Sequence, residues 1–347
     1  MHKTYKVIFI IFSFILFLFG VHNALALTLT PIRLEISGNP GQTLSEEMTL
    51  INERDTTETY YVSYANFEAQ GETGTPTFVD AKDDLGTWMQ APDSISLAPG
   101  TSKIIPIKIT IPKDADAGGH FAAIFWGTQP KSSTPGQVAI GAKTGMLVLL
   151  RVNGNVSENG GLLEFSTLNK QKFYTALPVS FFYRFQNNGG DRIKPTGDVK
   201  IKDILGITEK KIPGNPVDGN ILPSSVRKIE TVWQGKDVSG SVAEKDRGGF
   251  FDQVKYEWRN FAFGYYNAHI ALTYGTKNEV ATSAFSFWVF PWHLTIVVII
   301  LLALLYFVIK KTLKHYNHWV IAQAEKMLKM EEQKEAHEHH KNSARKV

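Results

Sequence analysis

The stretch Lys103-Ile104-Ile105-Pro106-Ile107-Lys108-Ile109-Thr110-Ile111 alternates without a break. Ile105, Ile107, Ile109 and Ile111 fall on one face and Ile104, Pro106, Lys108 and Thr110 on the other, the period-two pattern of a half-buried strand. Pro106 has no amide to give to a ladder, which places the strand at an edge or leaves its donor side free there. Ala98-Pro99-Gly100 before it and Pro112-Lys113-Asp114 after it read as turns. Working outward, Leu27 to Ile36, Leu44 to Asn52, Thr59 to Asn66 and Gly145 to Val152 are similar segments. Short strands at this spacing, punctuated by Gly, Pro and Asn, indicate an antiparallel sandwich.

Gly119 to Gly127 departs from the pattern, because Phe121 and Phe125 share one face while Ile124 and Trp126 share the other. A sandwich strand usually shows one face to water, so cover is expected over its outer face from a neighbouring domain, a loop or a partner. His120, at the start of this strand, reads as a residue making a local hydrogen bond. After a polar stretch around Asn153 to Gly161 the alternation restarts. Val179, Phe181, Tyr183 and Phe185 form one inward face, and Tyr266, Ala268, Ile270, Leu272 and Tyr274 another. Asp237 to Gly249 reads as a long exposed loop. No helix-period stretch of useful length is read between 27 and 285, which argues against enzyme folds built on βαβ units.

Two apolar runs frame these strands. Val7 to Val21, with Lys3 and Lys6 ahead and Ala24-Leu25-Ala26 behind, has the layout of a secretory signal peptide cleaved after Ala26. Leu294 to Ile309 is a charge-free run of sixteen residues, about 24 Å at a helical rise of about 1.5 Å per residue. Phe285 to His293 extends it through an aromatic belt in which Trp288 and Trp292 serve as interface anchors, and Lys310 and Lys311 follow at once. Basic residues beside a span favour the cytoplasmic side, which predicts the strands outside and the tail within. In that tail Leu313, Tyr316, Val320, Ala324 and Met327 stand at helical spacing, continuing the membrane helix along the inner surface.

The chain has no Cys, so its outward part is held by cores and not by disulfides. Without the first 26 residues and the tail from Lys310, 26 basic residues stand against 28 acidic ones. A folded part so balanced lacks the footprint of a nucleic-acid binder. Chemistry is sparse as well. No G-x-S-x-G elbow and no H-E-x-x-H motif occurs, thiol catalysis lacks its residue, and the outward part carries only His120, His269 and the membrane-edge His293. Acidic clusters at Asp80, Asp83 and Asp84 and at Asp114 and Asp116 lack the loop pattern of a calcium site. The expectation is a binding or display protein, not an enzyme, with no metal and no cofactor.

Thr30-Pro31, Leu97-Ala98-Pro99-Gly100, and Ile111-Pro112-Lys113-Asp114-Ala115 running into Gly118-Gly119-His120-Phe121-Ala122-Ala123-Ile124 carry a further signal. So do Phe185-Gln186-Asn187-Asn188-Gly189, Ile221-Leu222-Pro223-Ser224-Ser225-Val226-Arg227 ahead of Trp233, and Phe287 to Trp292. In these stretches the chain resembles the WxL-interacting proteins, a bacterial cell-surface family. The resemblance implies an all-β fold of two tandem Ig-like antiparallel β-sandwiches at 27–153 and 160–286. A transmembrane helix at 287–310 and a basic tail at 311–347 would follow. It also implies that the first sandwich contacts peptidoglycan or another wall glycan, while the second contacts surface proteins. Aromatic side chains stacking on sugar faces would suffice for such contact; Trp88, Phe125 and Trp126 are the candidates, with core packing as their competing role. A protein-protein adhesin or assembly scaffold without glycan binding is the alternative.

Overall fold

Alternating burial along the strands sets the architecture of the computed structural model, which describes residues 27–128, 143–204, 206, 209–236 and 248–343. The export signal expected at 1–26 and most of the loop expected at Asp237 to Gly249 lie outside these residues. One sheet runs in the order β1 (Leu27–Thr30), β3 (Thr43–Asn52), β8 (Ser102–Thr110) and β6 (Met89–Gln90). A second runs β2 (Arg33–Gly38), β10 (Lys143–Val152), β9 (Gly118–Gly127), β4 (Glu58–Gln70) and β5 (Thr75–Asp80), with β7 (Ser94–Leu97) also on β4. Between them lies a core that includes Met48, Leu50, Ile105, Ile107, Ile109, Ile124, Trp126 and Val148. The isoleucine strand is oriented as its alternation requires, with Ile105, Ile107 and Ile109 buried and Ile104 exposed.

Not every pairing is antiparallel. Thr30-Pro31 carries the chain from the first sheet to the second, and the continuing run, β2, meets β10 heading the same way. The chain also changes sheets between β6 and β7, at residues 91–93.

A second pair of sheets encloses a second core. It is built from β11 (Gly160–Thr167), β13 (Val179–Asn187) and β16 (Ser225–Trp233) on one side. On the other side the order is β12 (Phe173–Tyr174), β18 (Glu279–Val289), β17 (Gly264–Tyr274), β14 (Thr196–Asp203) and β15 (Glu209–Pro213). Phe181, Tyr183, Phe185, Ile270, Leu272 and Phe287 fill the space between.

Among the described residues there are also three helices, α1 (Leu85–Trp88), α2 (Phe250–Arg259) and α3 (Trp292–Ser343). Two of these correct the sequence reading. First, the helix expected to span a membrane does not open at 287. Phe287 and Val289 are core residues of β18, paired with Tyr266 and Gly264, and the helix begins at Trp292. The alternating apolar spacing of Phe285, Phe287 and Val289 belongs to a strand facing a core. Second, α2 is a helix where none was expected. Its protein-facing residues are the polar Gln253 and Glu257, so it lacks the apolar inward stripe by which a soluble helix is found.

Glu257 explains why α2 lies where it does. Its side chain is wholly buried; Oε1 meets His293 Nδ1 at 2.7 Å and Oε2 accepts the Leu294 amide at 2.8 Å. One carboxylate thereby satisfies a first-turn amide that α3 cannot satisfy internally, and its charge suits the positive end of that helix. From Trp292 to Met330, α3 is long and apolar enough to cross a membrane, and it continues without a break to Ser343.

Candidate binding cleft

Where the two units meet, charges face one another across the gap. Arg33 on β2 gives Nη2 to Asp218 Oδ2 at 2.7 Å and Nη1 to the Asp218 carbonyl at 3.0 Å, while its Nε lies 2.9 Å from Glu35. Glu35 accepts the Asn220 side-chain amide at 2.9 Å and Lys194 Nζ lies 3.2 Å away. Burial pushes the Glu35 carboxyl up, but the bonds from Asn220 and Lys194 and the charges of Lys194 and Arg33 outweigh it and hold the group low. Asp218 is also held low, chiefly by its bond from Lys194. On β10, Arg151 reaches the buried Asp191 at 2.7 Å. At the β4–β5 turn Glu72 takes both Nε and Nη2 of Arg184, and that bidentate pair keeps its carboxyl low. Two backbone bonds also cross, Gly119 N to the Gly190 carbonyl at 2.9 Å and Lys228 N to the Glu72 carbonyl at 2.7 Å.

Inside this charged rim the junction is apolar. Phe67, Phe121 and Leu149 form a small cluster joined by Leu147 from the first unit and Leu222 from the second. Part of the cover expected over the outer face of β9 is therefore supplied by the second unit, whose Leu222 packs against the cluster that holds Phe121. A cavity of about 80 Å³ remains, lined among others by Arg33, Phe67, Leu147, Leu149, Leu222 and Arg227.

Arg227 is the group in this cleft with the least compensation. Its Nη1 bonds the Asn220 carbonyl at 2.6 Å, but Nε is buried without a partner and, among the described residues, no carboxylate pairs with it. Burial pulls the guanidinium below its ordinary range, with Arg33 adding like charge. The buried Tyr183 hydroxyl, which burial pushes up, lies within its electrostatic reach. Two glycines make room for the guanidinium: a Cβ at Gly74, whose φ is +77°, or at Gly219 would run into it. Asn220 Oδ1 is a second buried polar atom without a partner. An acceptor and a donor are thus both on offer in an apolar-walled recess, which is how small ligand sites are built.

From Phe67 an aromatic strip leads outward along the same sheet face. Phe67 contacts Phe121 at 5.9 Å and Phe78 at 6.1 Å between ring centroids, and Phe78 meets Phe125 edge-on at 4.9 Å. Phe125 is half-buried there, and Phe78 is exposed.

The other two aromatic candidates lie elsewhere. Trp126 is wholly buried in the first core and reaches no surface, which corrects its assignment as a stacking residue. Strand parity dictates this: Trp126 shares the inward face with Ala122 and Ile124. Trp88 is half-buried at the end of α1, its ring 4.8 Å from that of His120. His120 makes the local bond expected of it, Nε2 to the Asp116 carbonyl, and its Nδ1 also meets the carboxylate of Asp84, just before α1. Burial lowers its affinity for a proton, but these acceptors more than offset that and its pKa is raised. With both nitrogens engaged it is poorly placed to act as a base. Trp288 stands on β18 beside Tyr265, Trp292 opens α3, and Lys310 and Lys311 are exposed on α3 directly after its apolar run. No group of three metal-ligating side chains occurs among the described residues.

Residues 33 and 74 are far in the chain from 219 and 227, and each is ordinary by itself. Gly74 and Gly219 read as turn glycines, and Arg227 stands inside the Ile221 to Arg227 stretch without a spacing that marks it.

No family model and no curated protein sequence matches the chain. Among solved structures it is similar to the class 5 fimbriae chaperone CfaA, at 14% identity and a TM-score of 0.37 over 76% of this chain and 99% of that one. It is also similar to the E. coli chaperone DraB, at 11% identity and 0.32 over 76% and 97%. A third is the Pseudomonas aeruginosa CupB2 chaperone, at 6% identity and 0.29 over 76% and 100%. At these values the likenesses carry nothing about what this chain binds.

Proposed function

We propose that the chain is a membrane-anchored bacterial surface protein with two Ig-like modules held outside. In this reading the junction of the modules and the Phe67–Phe78–Phe125 strip receive a carboxylate-ended component of the cell wall, such as a peptidoglycan stem peptide. The observation that carries the reading is Arg227, a half-buried guanidinium with no carboxylate partner among the described residues, at the head of an aromatic strip. A carboxylate entering the cleft would compensate that charge, and the rings of Phe78 and Phe125 would pack against sugar or peptide beyond it. The resemblance to the WxL-interacting proteins supports the wall as the source of such a ligand. Binding and not catalysis is the proposed activity, with no cofactor.

The test is co-sedimentation of the detergent-solubilised full chain with insoluble peptidoglycan. Arg227→Met is expected to weaken retention by about tenfold to a hundredfold, the worth of a charge-assisted hydrogen bond. Phe78→Ser combined with Phe125→Ser should weaken it as well. Unchanged retention in both variants, or none in the parent chain, overturns the reading.

One observation favours a second reading, a protein-assembly scaffold. Residues Ser102 to Ile107 of β8 pair with β3 on one side and, among the described residues, with no strand on the other, beside a hollow of about 520 Å³. An unpaired edge can accept a partner strand, although Pro106 and Lys103 blunt it. Capture of a surface protein with no wall retention would select this reading.

A further inference from the structure

The polarity of α2 is inverted for a helix on a soluble protein. Gln253 and Glu257 are buried, whereas Phe251 is 81% and Trp258 71% exposed. At about 100° per residue, Phe250, Phe251, Val254 and Trp258 fall within one arc of about 100°, and Lys255 and Arg259 follow on the side away from the buried Gln253 and Glu257. Directly after the helix, Phe261 and Phe263 are each more than half exposed. In water such a concentration of open rings is unfavourable, and patches of this kind mark a docking surface.

The position of the rings identifies what they dock on. Glu257 fastens α2 to the first turn of α3, the Phe250 ring lies 5.5 Å from that of His293, and Phe263 packs on Phe290 at 5.7 Å. The exposed arc is therefore continuous with the point where the apolar run of α3 begins. Leu294 to Ile309 covers about 24 Å of a hydrocarbon layer about 30 Å thick. The shortfall draws the turn before Leu294, and the rings fastened to it, into the boundary between headgroups and acyl chains.

We propose that α2 and the Phe261 to Phe263 segment form an interfacial collar that inserts into the outer leaflet and docks the second unit onto the bilayer surface. The collar rests on the reading that α3 spans a membrane. Its rings sit about 5–10 Å below the headgroup surface, the depth at which amphipathic helices lie, and Lys255 reaches the phosphates. The ligand is the lipid surface itself.

Because the chain has no Cys, single labels report without a background. Phe251→Cys and Trp258→Cys, each in the full chain, carry a nitroxide, with Ile104→Cys as the aqueous reference and Leu302→Cys as the reference for the span. The chains are reconstituted in vesicles of phosphatidylethanolamine and phosphatidylglycerol, and collision of the label with oxygen and with a water-soluble nickel complex is measured. The collar requires the labels at 251 and 258 to favour oxygen over nickel, between the two references. A deep reading at 302 with labels at 251 and 258 as open to nickel as that at 104 overturns the collar alone. An aqueous reading at 302 overturns the span, and the collar with it. Protection from both reagents with spin-spin broadening would mean that a second copy covers the rings, which also overturns it.

Discussion

Between the two β units charges meet charges, Arg151 with Asp191, Arg184 with Glu72, and Arg33 and Lys194 with Asp218 and Glu35. Between the second unit and α3 a single carboxylate makes the join, and aromatic rings surround it. Most of the first set is partly open to water, where screening leaves each pair little net worth but where geometry fixes the angle between two bodies. Glu257 is out of water altogether, so nothing replaces it when it is lost. One junction is strong by number and the other by burial.

The sharpest test of that difference is Glu257→Ala, which strands the Leu294 amide and the His293 ring. It should cost about 3 kcal/mol, read as a fall in the denaturation midpoint of the second unit in the full chain. Glu257→Gln keeps an acceptor for Leu294 and should cost less. A loss from Glu257→Ala no larger than that of a surface pair would break the comparison.

Next in size is Arg151→Met, which takes from the Asp191 carboxylate, at 5% exposure, its nearest guanidinium and leaves it Arg192 at 3.7 Å. Discounted for the open side of Arg151, the loss should be about 1.5 kcal/mol. Fluorescence transfer between labels on the two units should show their relative angle broadening.

The smallest effect comes from acid. Glu35, Asp218, Glu72 and Glu158 are all held below their ordinary carboxylate values. Groups with a lowered folded pKa stabilise fully above the unfolded value and lose that contribution as pH falls through the folded one. The angle between the units should therefore hold down to about pH 5 and loosen below about pH 4, without unfolding of either core. Constant transfer efficiency across that range would show that apolar contact at Phe121 and Leu222, and not the charges, sets the angle.

Much of the fold was legible because strand alternation is local. Ile105, Ile107 and Ile109 declare their face within nine residues, as do Phe181, Tyr183 and Phe185. The same rule says which residues share a face but not which face is inside, and so Trp126 and Phe125 looked equally available. In α2 the signal ran the wrong way, since its buried side chains are polar and its open ones aromatic. The end of β18 was misread because Phe285 to Val289 leads, with no Lys, Arg, Asp or Glu between, toward a membrane-type run. The cleft was illegible for a different reason: Gly74, Gly219 and Arg227 acquire meaning only when two separately folded bodies bring them together.

The unbroken course of α3 from Trp292 to Ser343 has a mechanical corollary. Fifty-two residues of continuous helix make a rod about 78 Å long, more than twice the thickness of a hydrocarbon layer. Clamped at one end by a buried acid, such a rod acts as a lever: a tilt or twist imposed on the paired sandwiches has no hinge at which to dissipate and emerges as displacement of the helix's opposite tip.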